Sequence, residues 1–152
     1  MWYVGSMTQY VGFMTQNDSR YLFIYGTLMS GARTKLGTAQ RLRLAAESDS
    51  LGPASLHFAR LYDLGRYPGA VLSDGEEEIV HGEVVLLADP QAAFAWLDEY
   101  EGYVHGGDNN EYDRVVREVR LAGGETFDAW VYLLRCAPDE QKRLVSGRWV
   151  GR

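Results

Sequence analysis

Short apolar runs separated by glycine-containing turns dominate the chain. Residues 21–25 combine β-branched and aromatic side chains and are bounded by Gly26, and residues 70–73 and 79–88 are further short runs rich in apolar residues. Runs of this length and composition predict strands. Gly82 interrupts the third run, which predicts either a bulge or a close approach of another backbone.

Three further segments extend the strand pattern. Residues 55–64 alternate less cleanly and are interpreted as one strand. Residues 112–121 and 126–134 predict two strands joined by a turn at Gly123-Gly124. Asp74-Gly75 has the composition of a hairpin turn.

One segment has strong helix signals at both ends. Asp89 suits the N-cap of a helix over residues 90–101, Pro90 suits its first position, and Gly102 suits a left-handed cap. A second short helix is predicted for residues 138–145. Because strands and helices do not alternate, we expect an α+β fold with a closed or nearly closed, mainly antiparallel β-barrel.

A carboxylate falls on the apolar side of this helix. At about 100° per residue, Glu101 lies about 40° from Leu97, towards Phe94, whereas Glu99 lies about 200° away on the opposite side. Burial and the helix C-terminus should both raise the pKa of Glu101, which suits a group that accepts and returns a proton near neutral pH. The alternative is that the last turn frays and Glu101 reaches solvent.

The loop after the first strand is a candidate anion site. Tyr25, Gly26, Thr27 and Leu28 leave a buried strand, and successive N–H groups in such a turn can bind an anion. The spacing matches neither GxxxxGK[ST] nor GxGxxG, so a carboxylate fits better than a nucleotide. The alternative is that the glycine only makes a turn.

Composition and charge narrow the classes of function. The chain has 152 residues, 46% of them hydrophobic, and this length favours one domain. Its formal net charge of -6 argues against nucleic-acid binding. The single cysteine, Cys136, permits no internal disulfide, so a cytoplasmic location is expected. No apolar run is long enough to span a membrane, and the three histidines have no metal-ligand spacing. Residues 1–20 are interpreted as a flexible or weakly docked N-terminal extension, and residues 21–152 as a single domain.

Several short motifs occur along the chain, and although none is decisive alone, their ordered combination is specific. They are Tyr25-Gly26-Thr27-Leu28, Leu61 to Val71, Val80 to Val84, Leu97 to Gly102, Tyr112-Asp113-Arg114, Ala129 to Tyr132 and Ser146-Gly147-Arg148-Trp149. With these motifs the chain resembles the γ-glutamylcyclotransferase-like superfamily, and most of all its γ-glutamylamine cyclotransferase and AIG2-like branch. Arg148 departs from the pattern, in which aspartate is usual.

The resemblance implies both a fold and an activity. The fold is a small mixed β-barrel with flanking helices, and the activity is the cofactor-free and metal-free release of 5-oxoproline from a small γ-glutamyl compound. In this family the loop at residues 25–28 holds the substrate through backbone N–H groups, and the glutamate matching Glu101 is the general acid/base. Tyr67 and Tyr112, from two of the matching motifs, are also assigned to the substrate site.

Two other classes of function remain open from the sequence. The same fold could bind γ-glutamyl or amino-acid ligands without turnover, or it could be an interaction module whose N-terminal aromatic segment docks a partner. The sequence identifies neither the amine that is released nor the oligomeric state.

Overall fold

A computed structural model of the chain describes residues 19–151. Its elements in chain order are β1 (Tyr21–Ile24), α1 (Thr38–Ala46), β2 (Ser48–His57), β3 (Ala59–Asp63), β4 (Pro68–Leu72), β5 (Ile79–Leu87), α2 (Pro90–Glu101), β6 (Tyr112–Leu121), β7 (Thr126–Leu134), a 3₁₀ helix (Glu140–Lys142) and β8 (Arg143–Leu144).

Five strands form a closed barrel in the order β1-β5-β2-β6-β7. The pairs β1–β5, β5–β2, β2–β6 and β6–β7 are antiparallel, and a parallel pairing of β1 with β7 closes the barrel. A second sheet has the strand order β4-β3-β8. The prediction of an α+β fold on a small mixed, mainly antiparallel barrel with flanking helices is therefore confirmed.

Alternate residues of β1 and Tyr25, which directly follows it, enter two different apolar cores. Phe23 and Tyr25 pack with residues of the barrel strands and Trp149, whereas Leu22 and Ile24 pack with the apolar side of the helices. Successive side chains of a strand point to opposite faces, so a strand that is apolar on both faces is covered on both. The loop after β1 thus starts from a position fixed on both sides.

Helix α2 has the ends that the sequence predicts. The Asp89 carboxylate accepts a hydrogen bond from the Ala92 N–H at 3.2 Å, and Gly102 adopts a left-handed conformation with φ 71°. The buried side chains of the helix are those on the predicted apolar side: Ala93, Phe94, Trp96 and Leu97. Its last turn is therefore held against the barrel.

Helix α1 was missed by the sequence analysis. Gly37 at its N-cap makes no side-chain cap, and Leu44 is its one buried residue. Its two leucines, Leu42 and Leu44, are two residues apart and do not mark one helical face, so its place in the fold depends on tertiary contacts. Within residues 19–151, no helix is both long enough and apolar enough to cross a bilayer.

The prediction of one strand over residues 55–64 is wrong. Phe58 has φ 59° and separates β2, in the barrel, from β3, in the second sheet. The hairpin expected at Asp74-Gly75 is also wrong, because β4 and β5 belong to different sheets. The chain therefore crosses from one sheet to the other at both points.

The tail is also less helical than predicted. Of the helix expected at residues 138–145, only the 3₁₀ turn forms, and β8 follows it on the edge of β3. Glu78 holds this strand, because it accepts hydrogen bonds from Arg143 at 2.8 Å and from Arg60 at 2.7 Å. Cys136 just before the tail is exposed.

The start of the described chain contacts the barrel. The Ser19 hydroxyl donates to the Asp128 carbonyl oxygen, and the Arg20 guanidinium donates to the Ala88 carbonyl oxygen at 2.7 Å. Residues 1–18 of the predicted extension, and Arg152, lie outside the described residues.

We expect Gly82→Ala to destabilise the fold by about 1–3 kcal/mol, the range typical of overpacking. A Cβ at Gly82 would lie 2.2 Å from the Ile24 carbonyl oxygen, so this glycine permits the close backbone approach that its position predicts. Urea unfolding measures the change. Gly31→Ala is the control, because a Cβ there meets nothing within 4 Å. Equal stability of the two variants would contradict the close-approach explanation.

Candidate active site

A cavity of about 320 Å³ opens where β1 ends. Its walls come from the loop after β1, the turn before β4, the C-terminal end of α2 and the start of β6. The lining includes all seven residues predicted for the site: Tyr25, Gly26, Thr27, Leu28, Tyr67, Glu101 and Tyr112. Their roles in binding and catalysis stay predictions.

Glu101 is the unusual carboxylate of this cavity. Burial raises its pKa from 4.5 to about 7, and the neighbouring carboxylates of Glu111 and Asp98 add to the shift. Among the described residues, no side chain or backbone group forms a hydrogen bond or an ion pair with the Glu101 carboxylate. It is therefore a desolvated group that can exchange a proton near neutral pH.

Asp98, one turn earlier on α2, has the opposite environment. Its carboxylate pairs with the Arg114 guanidinium at 2.8 Å and accepts a 2.6 Å hydrogen bond from the Tyr132 hydroxyl. Arg114 also stacks over the rings of Phe94 and Trp130, at 4.0 and 4.5 Å from their centroids. Arg114 thus pairs with a carboxylate, and Asp98 is held as its structural partner.

The glycine of the loop has a different purpose from the one expected. Gly26 is not among the residues with positive φ; instead, a Cβ at this position would lie 2.9 Å from two ring carbons of Pro68. Close packing against Pro68, and not an unusual backbone angle, explains the glycine. The Met29 N–H donates to the Gly26 carbonyl oxygen at 3.1 Å and closes the turn.

Donors of this loop remain available to a ligand. In the part of the chain that the structure describes, the N–H groups of Gly26, Thr27 and Leu28 donate to no protein acceptor. Consecutive free N–H groups in a turn are a typical site for a carboxylate or another anion.

Helices α1 and α2 hold the loop after β1 from two sides. The Arg41 guanidinium on α1 donates to the carbonyl oxygens of Thr27 and Thr34. The Thr27 hydroxyl and the Tyr100 hydroxyl on α2 form a 2.7 Å hydrogen bond. The loop is therefore held in place before any ligand binds, which lowers the entropy cost of binding.

The hydroxyl groups of two cavity tyrosines are already engaged. The Tyr25 hydroxyl donates to the Tyr132 carbonyl oxygen at 2.6 Å and accepts from the Ala70 N–H at 3.2 Å. The Tyr112 hydroxyl donates to the Pro68 carbonyl oxygen at 2.9 Å. Burial raises the pKa of both phenols above the usual range, so they are neutral and offer a ligand mainly their rings.

The lining carries acidic groups at its rim. Glu111 accepts a hydrogen bond from the Tyr67 hydroxyl at 3.2 Å, and burial raises the pKa of Tyr67. Glu99 is exposed, as the helix geometry predicts, but it too lines the cavity. With Glu101 these make three carboxylates, and no lysine, arginine or histidine is among the lining residues. Such a lining favours a ligand that carries an ammonium group.

Sequence reasoning missed three lining residues that matter to this geometry. They are Tyr100, Glu111 and Tyr132. Each neighbours a recognised motif residue or belongs to a recognised motif, so position along the chain was the available signal. Within residues 19–151, no group of three or more His, Cys, Asp or Glu side chains could hold a metal ion.

Comparison with known proteins identifies the family. Residues 22–151 match the family model described as gamma-glutamyl cyclotransferase, AIG2-like. The chain belongs to this family. The gamma-glutamylcyclotransferase family protein YtfP of Escherichia coli K12 is 33% identical over 131 residues, which cover 86% of this chain and 96% of YtfP. The resemblance stated from the motifs is confirmed.

Solved structures of AIG2-like proteins have the same fold. An AIG2-like protein from Mus musculus superposes with a TM-score of 0.65 at 19% identity, covering 86% of this chain and 87% of its own. The solution structure of ytfP from Escherichia coli gives a TM-score of 0.55 at 32% identity, covering 85% and 95%. The likeness to the mouse protein concerns the fold alone.

We expect the stability of Glu101→Gln relative to the native chain to increase with pH. The folded state, with a Glu101 pKa of about 7, binds more protons than the unfolded state between pH 4.5 and 7. The contribution of this group to stability is therefore present at low pH and lost as pH rises through the folded pKa, whereas glutamine has no such loss.

Thermal unfolding at pH 5 and pH 8 measures this difference. The two melting temperatures should be similar at pH 5, and the variant should be the more stable at pH 8. Glu125→Gln, in the exposed β6–β7 turn, is the control and should show no pH-dependent difference. A variant that is less stable than the native chain at pH 8 would show that Glu101 is a stabilising charge.

Proposed function

We propose that this AIG2-like chain is a γ-glutamylcyclotransferase-type enzyme. It would release 5-oxoproline and a free amine or amino acid from a small γ-glutamyl compound. The observation that carries this proposal is the Glu101 carboxylate, which has a pKa of about 7 and no partner among the described residues, in a cavity beside a loop of free N–H groups. Membership of the family supports the same class of activity.

The cavity suits both charged groups of a γ-glutamyl substrate. Its α-carboxylate would bind the N–H groups of Gly26, Thr27 and Leu28, because the lining has no cationic side chain. Its α-ammonium would lie beside Glu101 and within the field of Glu111. This arrangement folds the substrate so that its amine faces its own γ-carbonyl, and such proximity removes much of the entropic barrier to ring closure.

Glu101 would carry protons from the α-amine to the leaving amine. Its carboxylate first takes a proton from the α-ammonium, and the free amine attacks the γ-carbonyl carbon. The new C–N bond closes a five-membered ring and gives a tetrahedral intermediate, whose oxyanion would be stabilised by loop N–H groups. The bond to the leaving amine then breaks as Glu101 returns the proton to that nitrogen. The regenerated carboxylate next takes the second proton from the ring nitrogen, which becomes the neutral lactam N–H, and passes it to the departing amine, which leaves as an ammonium.

A pKa of about 7 suits both halves of this cycle. A carboxylate with an ordinary pKa would be a weak base for an ammonium and would give up its proton too readily. Binding of the α-ammonium would itself favour the ionised form of Glu101, because an opposite charge nearby stabilises the carboxylate. In the free enzyme the pKa of Glu101 is therefore close to neutral pH. Substrate binding then favours the ionised carboxylate that the first step requires.

We also propose a cytoplasmic location, as the single cysteine favours a reducing compartment. The proposed partner is the small-molecule substrate. Loop residues 103–110, next to the carboxylates of the cavity, would influence which amine leaves.

A panel of γ-glutamyl dipeptides and γ-glutamylamines, followed by detection of 5-oxoproline, tests the activity. The alternative is a binder of γ-glutamyl or amino-acid ligands without turnover. Saturable binding of panel compounds with no 5-oxoproline from any of them would reject the enzyme and favour the binder.

We expect Glu101→Gln to lower kcat/KM for 5-oxoproline release by about 10²–10⁴-fold, the usual contribution of a general acid/base. Glutamine keeps the size of the side chain but cannot accept the proton. The steady-state rate of 5-oxoproline formation measures the loss, and circular dichroism checks the fold. Glu125→Gln should keep the native rate. Near-native turnover by folded Glu101→Gln would remove Glu101 from the chemistry.

A further inference from the structure

A second groove lies apart from the active-site cavity. It has a volume of about 570 Å³ and shares no lining residue with that cavity. Its walls are the middle of β2 and β5, the end of β6 with the turn that follows, and the tail at residues 148–150. Nothing in the proposed cyclisation uses this groove.

Two guanidinium groups in the groove have no protein partner. Arg120 and Arg148 are exposed, and neither side chain forms a hydrogen bond or an ion pair within the described part of the chain. Several arginines elsewhere are held by carboxylates, among them Arg60 by Glu78 and Arg114 by Asp98. The charge of Arg120 and Arg148 is therefore available to something outside the fold.

A buried donor in the same lining is also without an acceptor. Trp149 is only 7% exposed, and its indole Nε1 has no hydrogen-bond partner among residues 19–151. The indole N–H groups of Trp96 and Trp130 are satisfied, by Glu47 and by the Ser19 carbonyl oxygen respectively. A buried donor normally has a partner, so an unpaired one marks a place where an acceptor is missing.

The acidic residue of the groove, Glu83, already has hydrogen-bond partners. Glu83 accepts hydrogen bonds from the Ser30 N–H at 3.0 Å and from the Ser30 hydroxyl at 2.7 Å. His81 also lines the groove, and burial and the nearby Arg148 charge lower its pKa, so it adds little positive charge at neutral pH. Two arginines against one engaged carboxylate leave an excess of positive charge.

We propose that this groove binds a small anion with two or more negative charges, a phosphate or a dicarboxylate. Guanidinium groups donate two parallel hydrogen bonds to the oxygens of either group. The anion would supply the acceptors that Arg120 and Arg148 lack, and its entry would change the environment of the Trp149 indole. The site is distinct from the proposed cyclisation and does not depend on it.

Titration of the ¹⁵N-labelled full chain with inorganic phosphate, and separately with succinate, tests the site. At low ionic strength we expect a saturable shift of the Trp149 indole N–H resonance and unchanged resonances of Trp96 and Trp130. The tighter of the two anions identifies the ligand as a phosphoryl compound or a dicarboxylate.

Matched variants localise the binding. The double variant Arg120→Gln, Arg148→Gln should bind at least about tenfold more weakly, since it removes both charged donors to the anion. Arg66→Gln, which removes one exposed guanidinium outside the groove, should bind as the native chain does. The absence of a saturable shift, its reproduction by chloride at equal ionic strength, or equal affinities of the double variant and the native chain would each overturn the proposal.

Discussion

The candidate site depends on how α2 packs against the barrel. Its apolar side is buried through Phe94 and Leu97, and this fixes the rotation of the helix about its axis. Two carboxylates one turn apart, Asp98 and Glu101, are thereby turned towards the barrel. The fold supplies a partner for the first, Arg114, and none among the described residues for the second.

This difference separates a structural carboxylate from a reactive one. Arg114 brings a positive charge to Asp98 and is itself held between aromatic rings, so that pair is rigid. A similar ion pair at Glu101 would lower its pKa and make it a poor proton carrier. Burial instead raises the pKa of Glu101, and the neighbouring acids Glu111 and Asp98 add to that shift.

Close approaches shape the rest of the cavity. Gly26 lies against the Pro68 ring, and Gly37 leaves space for the Tyr100 hydroxyl, which would be 2.4 Å from a Cβ at that position. These contacts bring the loop after β1 and the end of α2 together, with the Thr27–Tyr100 hydrogen bond between them. The cavity is thus made by glycines that remove atoms and by polar contacts that hold its walls.

Local patterns predicted the elements whose signals are local. The caps and apolar positions of α2 fixed its limits and the direction of Glu101, and the ordered motifs pointed to the family. Features that depend on tertiary contacts could not be predicted from the sequence. Helix α1 depends on burial of Leu44, the chain changes sheet at Phe58 through a positive φ, and Gly26 serves packing with a residue about 40 positions away. The partners of Asp98 and the isolation of Glu101 likewise require the folded barrel.

The pKa of Glu101 is the quantity on which the proposed chemistry depends most directly. A carbon-detected NMR titration of the side-chain carboxyl in the ligand-free chain measures it without reference to any substrate, and Glu101→Gln assigns the resonance. We expect a midpoint near pH 7. A midpoint at or below the ordinary value of 4.5 would show that Glu101 is solvated or paired, and would contradict its proposed role as the proton carrier.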